Sequence, residues 1–363
     1  MFACGLVSTQ TAAQEQPFDP QVLKQLAERG NMDAQFELGI RYLSGEGFTK
    51  DDKKAAEWLM KSAEQQNLPA MNAIGTLHEQ GLGLAKDEKK AFEWYEKAAK
   101  YGFPLAQQNL SECYEQGRGV EKNPTEAAKW LERAAHQDFP PAQAAYAWKL
   151  EHGEGTEKNT REAARWYLSA AQNGLVRAQT HLAYLYYVGS GVPLDYRRAE
   201  AWYRRAARSE DPWASNDLAW FLAVCPDENF HDGETAVEYS RSAAEKLSDS
   251  RYEILDTLAA ALARSGKFGE AVQLQMKVLM VFDKDKSEEV KPEDRAKLEQ
   301  ELSDRLKHYK KQSAFTEKDP KPESGTKPLI EDRILQEEAP QRRKPKPAEE
   351  DKDDDGDKPV VVS

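Results

Sequence analysis

An alanine returns along this chain with a step of 36, at Ala34, Ala70, Ala106, Ala142, Ala178 and Ala214. Trp58, Trp94, Trp130, Trp166 and Trp202 keep the same step, as do Gly45, Gly81, Gly117, Gly153 and Gly189. A period of this size describes one supersecondary unit copied in tandem, each copy covering the apolar face of the next. It excludes a single central core. It also points to a binding surface rather than a catalytic cleft.

One copy shows why the unit folds. Ala70, Ala73, Ile74 and Leu77 follow helical spacing and give one buried stripe. Gly81 and Gly83 end that helix, because glycine tolerates the left-handed backbone of a helix exit. Asp87 then stands where a carboxylate can accept the orphan amide bonds of a second helix. Ala91, Trp94, Tyr95, Ala98 and Ala99 form the second stripe, closed by Gly102. The alanines permit close helix approach, and Trp94 is expected to supply most of the buried apolar area.

The shared grammar reads A-x-x-x-L-G-x-x-Y-x-x-G-x-G-V, then A-x-x-W-Y-x-x-A-A-x-x-G. The first copy carries it as Ala34, Leu38, Gly39, Tyr42, Gly45, Gly47, Ala55, Trp58, Ser62 and Ala63. The fifth carries Ala178, Leu182, Tyr186, Gly189, Gly191, Val192, Ala199, Trp202, Tyr203, Ala206 and Ala207. This pattern resembles the Sel1-like repeat family, relatives of the tetratricopeptide repeat. The resemblance implies an all-α, right-handed α-α superhelical solenoid of helical hairpins. It also implies a protein–protein interaction scaffold or adaptor, without enzymatic activity or cofactor, in bacterial envelope assembly or signalling. Ser111, Ala147 and Ala183 depart from the first-helix glycine, Thr156 from the turn valine and Leu150 from the tyrosine.

A sixth unit starts on schedule at Ala214 and Leu218, then departs: Cys225 replaces the glycine and Pro226 to Gly233 replaces the turn. Leu255 to Ala263, with Gly266, Phe268, Ala271 and Val278, looks like a tetratricopeptide hairpin. Leu298, Leu302 and Leu306 suit a capping helix between Pro292 and Lys311. The expected organisation is an N-terminal remnant over 1–17, a cap helix and five Sel1-like repeats over 18–209, and atypical repeats with a capping helix over 210–312. A charged tail over 313–363, expected to be disordered, follows. It is rich in Lys, Pro, Glu and Asp and too poor in apolar residues to offset chain ordering.

A net charge of −12 argues against nucleic acid as the main partner, since phosphate binding needs clustered lysine and arginine. No run of apolar residues is long enough for a transmembrane segment. Cys4, Cys113 and Cys225 offer no disulfide framework. Met1 to Val7 followed by Ser8 to Ala13 is similar to the end of a secretory signal, giving an expected periplasmic or secreted location. Phe2 to Gly5 alternatively resembles a lipoprotein site at Cys4, and an unstructured cytoplasmic N-terminus is the plainer reading.

Catalytic patterns are absent from the sequence. The histidines are scattered, with no H-E-x-x-H spacing, no nucleophile elbow and no P-loop. Asp351 to Asp357 follows the first half of an EF-hand loop, but Val362 stands where its glutamate belongs. His78 fills a tyrosine slot and reads as a packing residue. A hydrolase or a cell-wall or polysaccharide-binding factor with acids in its groove is the rival class.

In tetratricopeptide-like arrays the first helix of each unit lines the concave face. The L-G-x-x-Y frame therefore selects candidate groove residues: Asn72, Thr76, Glu79, Gln108, Glu112, Glu115, Trp148, Glu151, Thr180, Tyr184, Tyr187, Asn216 and Trp220. Acids dominate the middle units and aromatics the later ones. That combination suits an extended protein or peptide segment carrying Lys or Arg. Solvated glutamates and inter-unit aromatic packing are the bland alternative.

Overall fold

A computed structural model describes residues 19–247, 251–284, 292–318 and 320. The signal-like N-terminus with Cys4 and the tail from 321 onward, including the EF-hand-like run, lie outside the described residues. The described residues form helices and no strand. A first helix, α1 (Pro20–Glu28), precedes five regular hairpins. These are α2 (Met32–Ser44) with α3 (Asp52–Glu64), α4 (Leu68–Gln80) with α5 (Glu88–Lys100), and α6 (Pro104–Gln116) with α7 (Pro124–Ala135). Next come α8 (Pro140–His152) with α9 (Thr160–Gln172), and α10 (Val176–Val188) with α11 (Tyr196–Ala207). Two longer hairpins follow, α12 (Pro212–Val224) with α13 (Gly233–Leu247) and α14 (Tyr252–Arg264) with α15 (Phe268–Lys284). The last helix is α16 (Pro292–Lys310). Each packs on its sequence neighbours.

The periodic residues divide the work of building a hairpin. Asp51, Asp87, Asn123, Asn159 and Asp195 each cap the second helix, the side chain accepting the backbone N–H three residues on. Gly45, Gly81, Gly117, Gly153 and Gly189 end the first helix in the left-handed conformation. The second glycine of each turn has another task. A β-carbon on Gly83, Gly119, Gly155 or Gly191 would overlap the backbone of Asp52, Glu88, Pro124 or Thr160, each at the start of the preceding unit's second helix. That glycine sets how closely successive hairpins stack.

The burial pattern corrects one expectation. Trp58, Trp94, Trp130 and Trp166 are only half-buried, and basic side chains one turn on (Lys61, Lys97, Arg133) lie over three of their rings. The neighbouring column, Leu59, Tyr95, Leu131, Tyr167 and Tyr203, is buried instead. Gly39 and Gly75 make room for it, since a β-carbon there would strike Leu59 or Tyr95. Only Trp202 is fully enclosed among the repeat tryptophans. A further periodic device is a buried glutamine: Gln35, Gln107, Gln143 and Gln179 each donate to a carbonyl in the last turn of the preceding helix. These amides give a second donor to helix-end carbonyls that already accept the backbone N–H three residues on.

Candidate functional site

The candidate groove residues lie on the first helices α4, α6, α8, α10 and α12, and successive first helices touch (α6 with α8, α10 with α12, α12 with α14). In the middle units the acids are engaged. Glu79 accepts the Tyr95 hydroxyl at 2.7 Å and pairs with Arg118, which also reaches Glu112 at 3.4 Å. Glu115 pairs with Lys149, a lysine almost wholly buried. Glu151 meets His181 Nε2 at 2.7 Å and accepts the Tyr167 hydroxyl at 3.3 Å. Burial raises the Glu151 carboxyl, but the hydrogen bond and charge of His181 outweigh it, and the net shift is downward. Each pair joins one unit to the next or closes within a unit. These carboxylates were the basis for expecting a basic ligand, and here they are already partnered by the fold.

Other candidates have structural duties too. Asn72 is buried and accepts from Asn109 Nδ2 at 2.8 Å; Thr76 Oγ1 lies 3.1 Å from the Tyr95 hydroxyl. Gln108 reaches Glu112 at 3.4 Å. Trp148 and Tyr184, on α8 and α10, remain 40% and 47% exposed, Trp148 with its ring stacked on His152 at 4.3 Å.

The later candidates converge. Thr180, Tyr184, Asn216 and Trp220 line one open cavity of about 540 Å³ where α10, α12, α14 and α16 meet. The residues after α16 run along its edge. Arg264 of α14 donates to the Ala223 carbonyl at 2.6 Å and to the Phe315 carbonyl and Thr316 hydroxyl at 2.8 Å each. The Glu317 N–H donates to the Val224 carbonyl at 2.8 Å. Its carboxylate accepts the Trp220 indole N–H at 3.0 Å and the Tyr187 hydroxyl. Burial first, and the Glu317 charge second, hold the Tyr187 phenol far above its ordinary range, so it stays a donor.

Sequence reasoning missed Asp217, Glu253, Arg264, Arg305 and Glu317, all placed at or beside this cavity. Asp217 and His181 share one column, the position just before the repeat leucine, which also holds Glu37 and Asn109 but Ala73 and Ala145 in two units, and this mixed polarity was the available signal. Burial lifts the Asp217 carboxyl to about 6. Asp256 is buried opposite Arg305, whose guanidinium lies 3.0 Å away, and Gln275 completes the contact at 2.9 Å. Glu317 carries no repeat signal because it follows the last helix. Cys113 and Cys225 are free and buried, and burial pushes each thiol up to about 12.

Stacked hairpins presenting a row of first helices make this an α-helical repeat protein. The Sel1 repeat family model matches residues 33–67, 68–102, 104–139, 140–175 and 176–211, and the chain is a Sel1-repeat protein. A solved Sel1 repeat protein from Oxalobacter formigenes shares 27% identity over 62% of this chain and 99% of its own, with a TM-score of 0.56. The protective antigen c5321 of uropathogenic Escherichia coli, with an SLR fold, shares 26% identity over 79% of this chain and 72% of its own, at a TM-score of 0.39. No curated protein sequence matches the chain. Sel1-repeat proteins generally mediate protein–protein interaction, and the fold is typically a non-catalytic binding scaffold. Among the described residues no helix is long and apolar enough to cross a membrane.

Proposed function

We propose that this protein is a non-enzymatic adaptor that captures an extended segment of a protein partner along the first-helix surface. The supporting observation is the chain's own residues 314–317, which lie against α12 and α14 without helical structure. They are held through main-chain groups at Phe315 and Glu317 as well as side chains. Main-chain recognition of this kind accepts many sequences, and neighbouring side-chain sites then select among them. Trp148 and Tyr184 extend that surface toward the middle units and are the large aromatics there that the fold leaves accessible. Aromatic anchors commonly dominate binding energy at such interfaces. Its setting in bacterial envelope assembly or signalling is part of the same proposal.

The test is capture of partner from a cell-envelope extract by wild-type protein and by the Trp148→Ala/Tyr184→Ala variant. Capture should be lost while the circular dichroism spectrum stays helical. Undiminished capture by the double variant refutes the proposed surface.

A further inference from the structure

The cavity at the junction of α10, α12, α14 and α16 has an unbalanced lining. Its carboxylates include Asp217, Glu253, Asp256 and Glu317, while its cations are already used: Arg305 pairs with Asp256 and His181 with Glu151. No ion pair reaches Asp217 or Glu253 among the described residues. Glu317 is held by two neutral donors, an indole and a phenol, which leave its charge uncancelled. A second feature points the same way. Asn216 is 8% exposed, lines the cavity, and its Oδ1 has no hydrogen-bond partner. A buried acceptor left unmatched is costly, and its natural complement is a donor arriving from outside. The surrounding walls include Tyr184, whose exposed π-face favours a cation, and Trp220, whose ring already carries the Arg305 guanidinium at 5.3 Å.

We propose that this cavity receives a basic side chain, arginine or lysine, presented by the partner segment, against Tyr184 and the oxygen atoms of Asn216, Asp217, Glu253 and Glu317. The assignment rests on the groove reading above and gives it a ligand chemistry. It also relocates the basic specificity. The acids of the middle units are held in pairs between or within units, whereas Asp217, Glu253 and Glu317 line the cavity without an ion-pair partner among the described residues. At about 540 Å³ the space admits a guanidinium with its methylene stem and adjoining main chain. Burial has raised the Asp217 carboxyl to about 6, which fits a carboxylate awaiting its counter-charge.

The experiment uses the full chain and titrates acetyl-arginine methylamide, acetyl-lysine methylamide (free ε-amine) and the neutral isostere acetyl-citrulline methylamide. The readout is the Trp220 indole N–H resonance, assigned by comparison with Trp220→Phe. The arginine and lysine probes should shift that resonance in a saturable way, and citrulline should bind at least about ten-fold more weakly. Asp217→Asn and Glu253→Gln should each weaken the arginine probe by a similar factor. Citrulline binding as well as arginine, or both variants binding like wild type, overturns the assignment. Spermidine binding more tightly than either amide would overturn it in favour of a free polyamine. Partner capture that survives Asp217→Asn but not Trp148→Ala/Tyr184→Ala would sink the cavity assignment and leave the groove standing. Undiminished capture by the aromatic variant would sink the groove itself.

Discussion

Replacing Gly155 by alanine separates two uses of glycine that a sequence pattern cannot tell apart. Gly153, Gly155 and Gly174 share left-handed backbone, at φ of 74°, 70° and 85°. Alanine in that region costs about 1–2 kcal/mol, reduced by about 0.4–1 kcal/mol because alanine also restricts the unfolded chain. At Gly174 a β-carbon would meet nothing within 4 Å, so Gly174→Ala should cost only that remainder, about 1 kcal/mol. At Gly153 the nearest atom is Lys158 Cβ at 3.3 Å, so only the short turn, not a neighbouring helix, has to give by a few tenths of an ångström. Gly155 is different. Its β-carbon would overlap the Pro124 carbonyl group, a backbone element at the start of α7 that can move only with its helix. Forcing hairpins apart adds an overpacking cost of about 1–3 kcal/mol, for a total near 2–4 kcal/mol. Urea unfolding followed by circular dichroism should rank the variants Gly174→Ala, Gly153→Ala, Gly155→Ala in rising cost. In a quasi-one-dimensional array the damage is local, so hydrogen exchange should accelerate first in α7 and α9. Equal losses at Gly153 and Gly155 would refute the claim that the second glycine sets inter-unit distance.

The same physics works in reverse at Gln66, Asp138 and Glu210, non-glycine residues at φ of 66°, 54° and 58° in the slot that Gly30, Gly102 and Gly174 fill elsewhere. Glu210→Gly should therefore raise the thermal midpoint, with a gain of up to about 1 kcal/mol. Gln179→Met keeps the volume but removes one of the two donors to the Ala171 carbonyl, which retains the Gly174 N–H at 3.1 Å, and should lower stability by about 0.5–1.5 kcal/mol in urea titration. Asp217 is an acid whose folded value, about 6, lies above its ordinary 3.8, so its contribution is fully present below about 3.8 and is lost as pH rises through about 6. Asp217→Asn should thus be more stable than wild type near pH 7, by up to roughly 3 kcal/mol, and indistinguishable near pH 3.5; a variant less stable at neutral pH would contradict this.

Much of this architecture was legible because the residues that define a hairpin act locally. Asp87 caps the helix it immediately precedes, and Gly81 ends the helix it immediately follows, so spacing alone identifies both. The relation between hairpins was less legible. Trp94 outweighs Tyr95 in area, yet Tyr95 is enclosed because Gly75, on another helix, removes a β-carbon from its path. Likewise Glu79 and Glu115 read as groove acids until Arg118 and Lys149 of following units are placed beside them. Glu317 is the extreme case. Its partners Tyr187 and Trp220 lie far earlier in the chain, and the segment carrying it has no periodic neighbour to compare.

The acids of the inner surface fall into two sets, and the division explains why an acidic repeat protein keeps so much charge there. Glu79, Glu112, Glu115 and Glu151 belong to pairs that tie one unit to another or brace a single unit, and partly exposed pairs of this kind contribute little stability each. What they contribute is register, since Arg118 and Lys149 meet their carboxylates only when adjacent units stack correctly. Asp217 and Glu253 enter no ion pair among the described residues, and burial sets the ionised Asp217 against the fold. A fold that retains a mostly buried carboxylate without a cation, beside an amide oxygen without a donor, has placed at one point two groups that a single incoming cationic donor would satisfy together. Packing alone would favour an apolar side chain at position 217. The retained acid is therefore better explained by what the cavity receives than by what holds the array together.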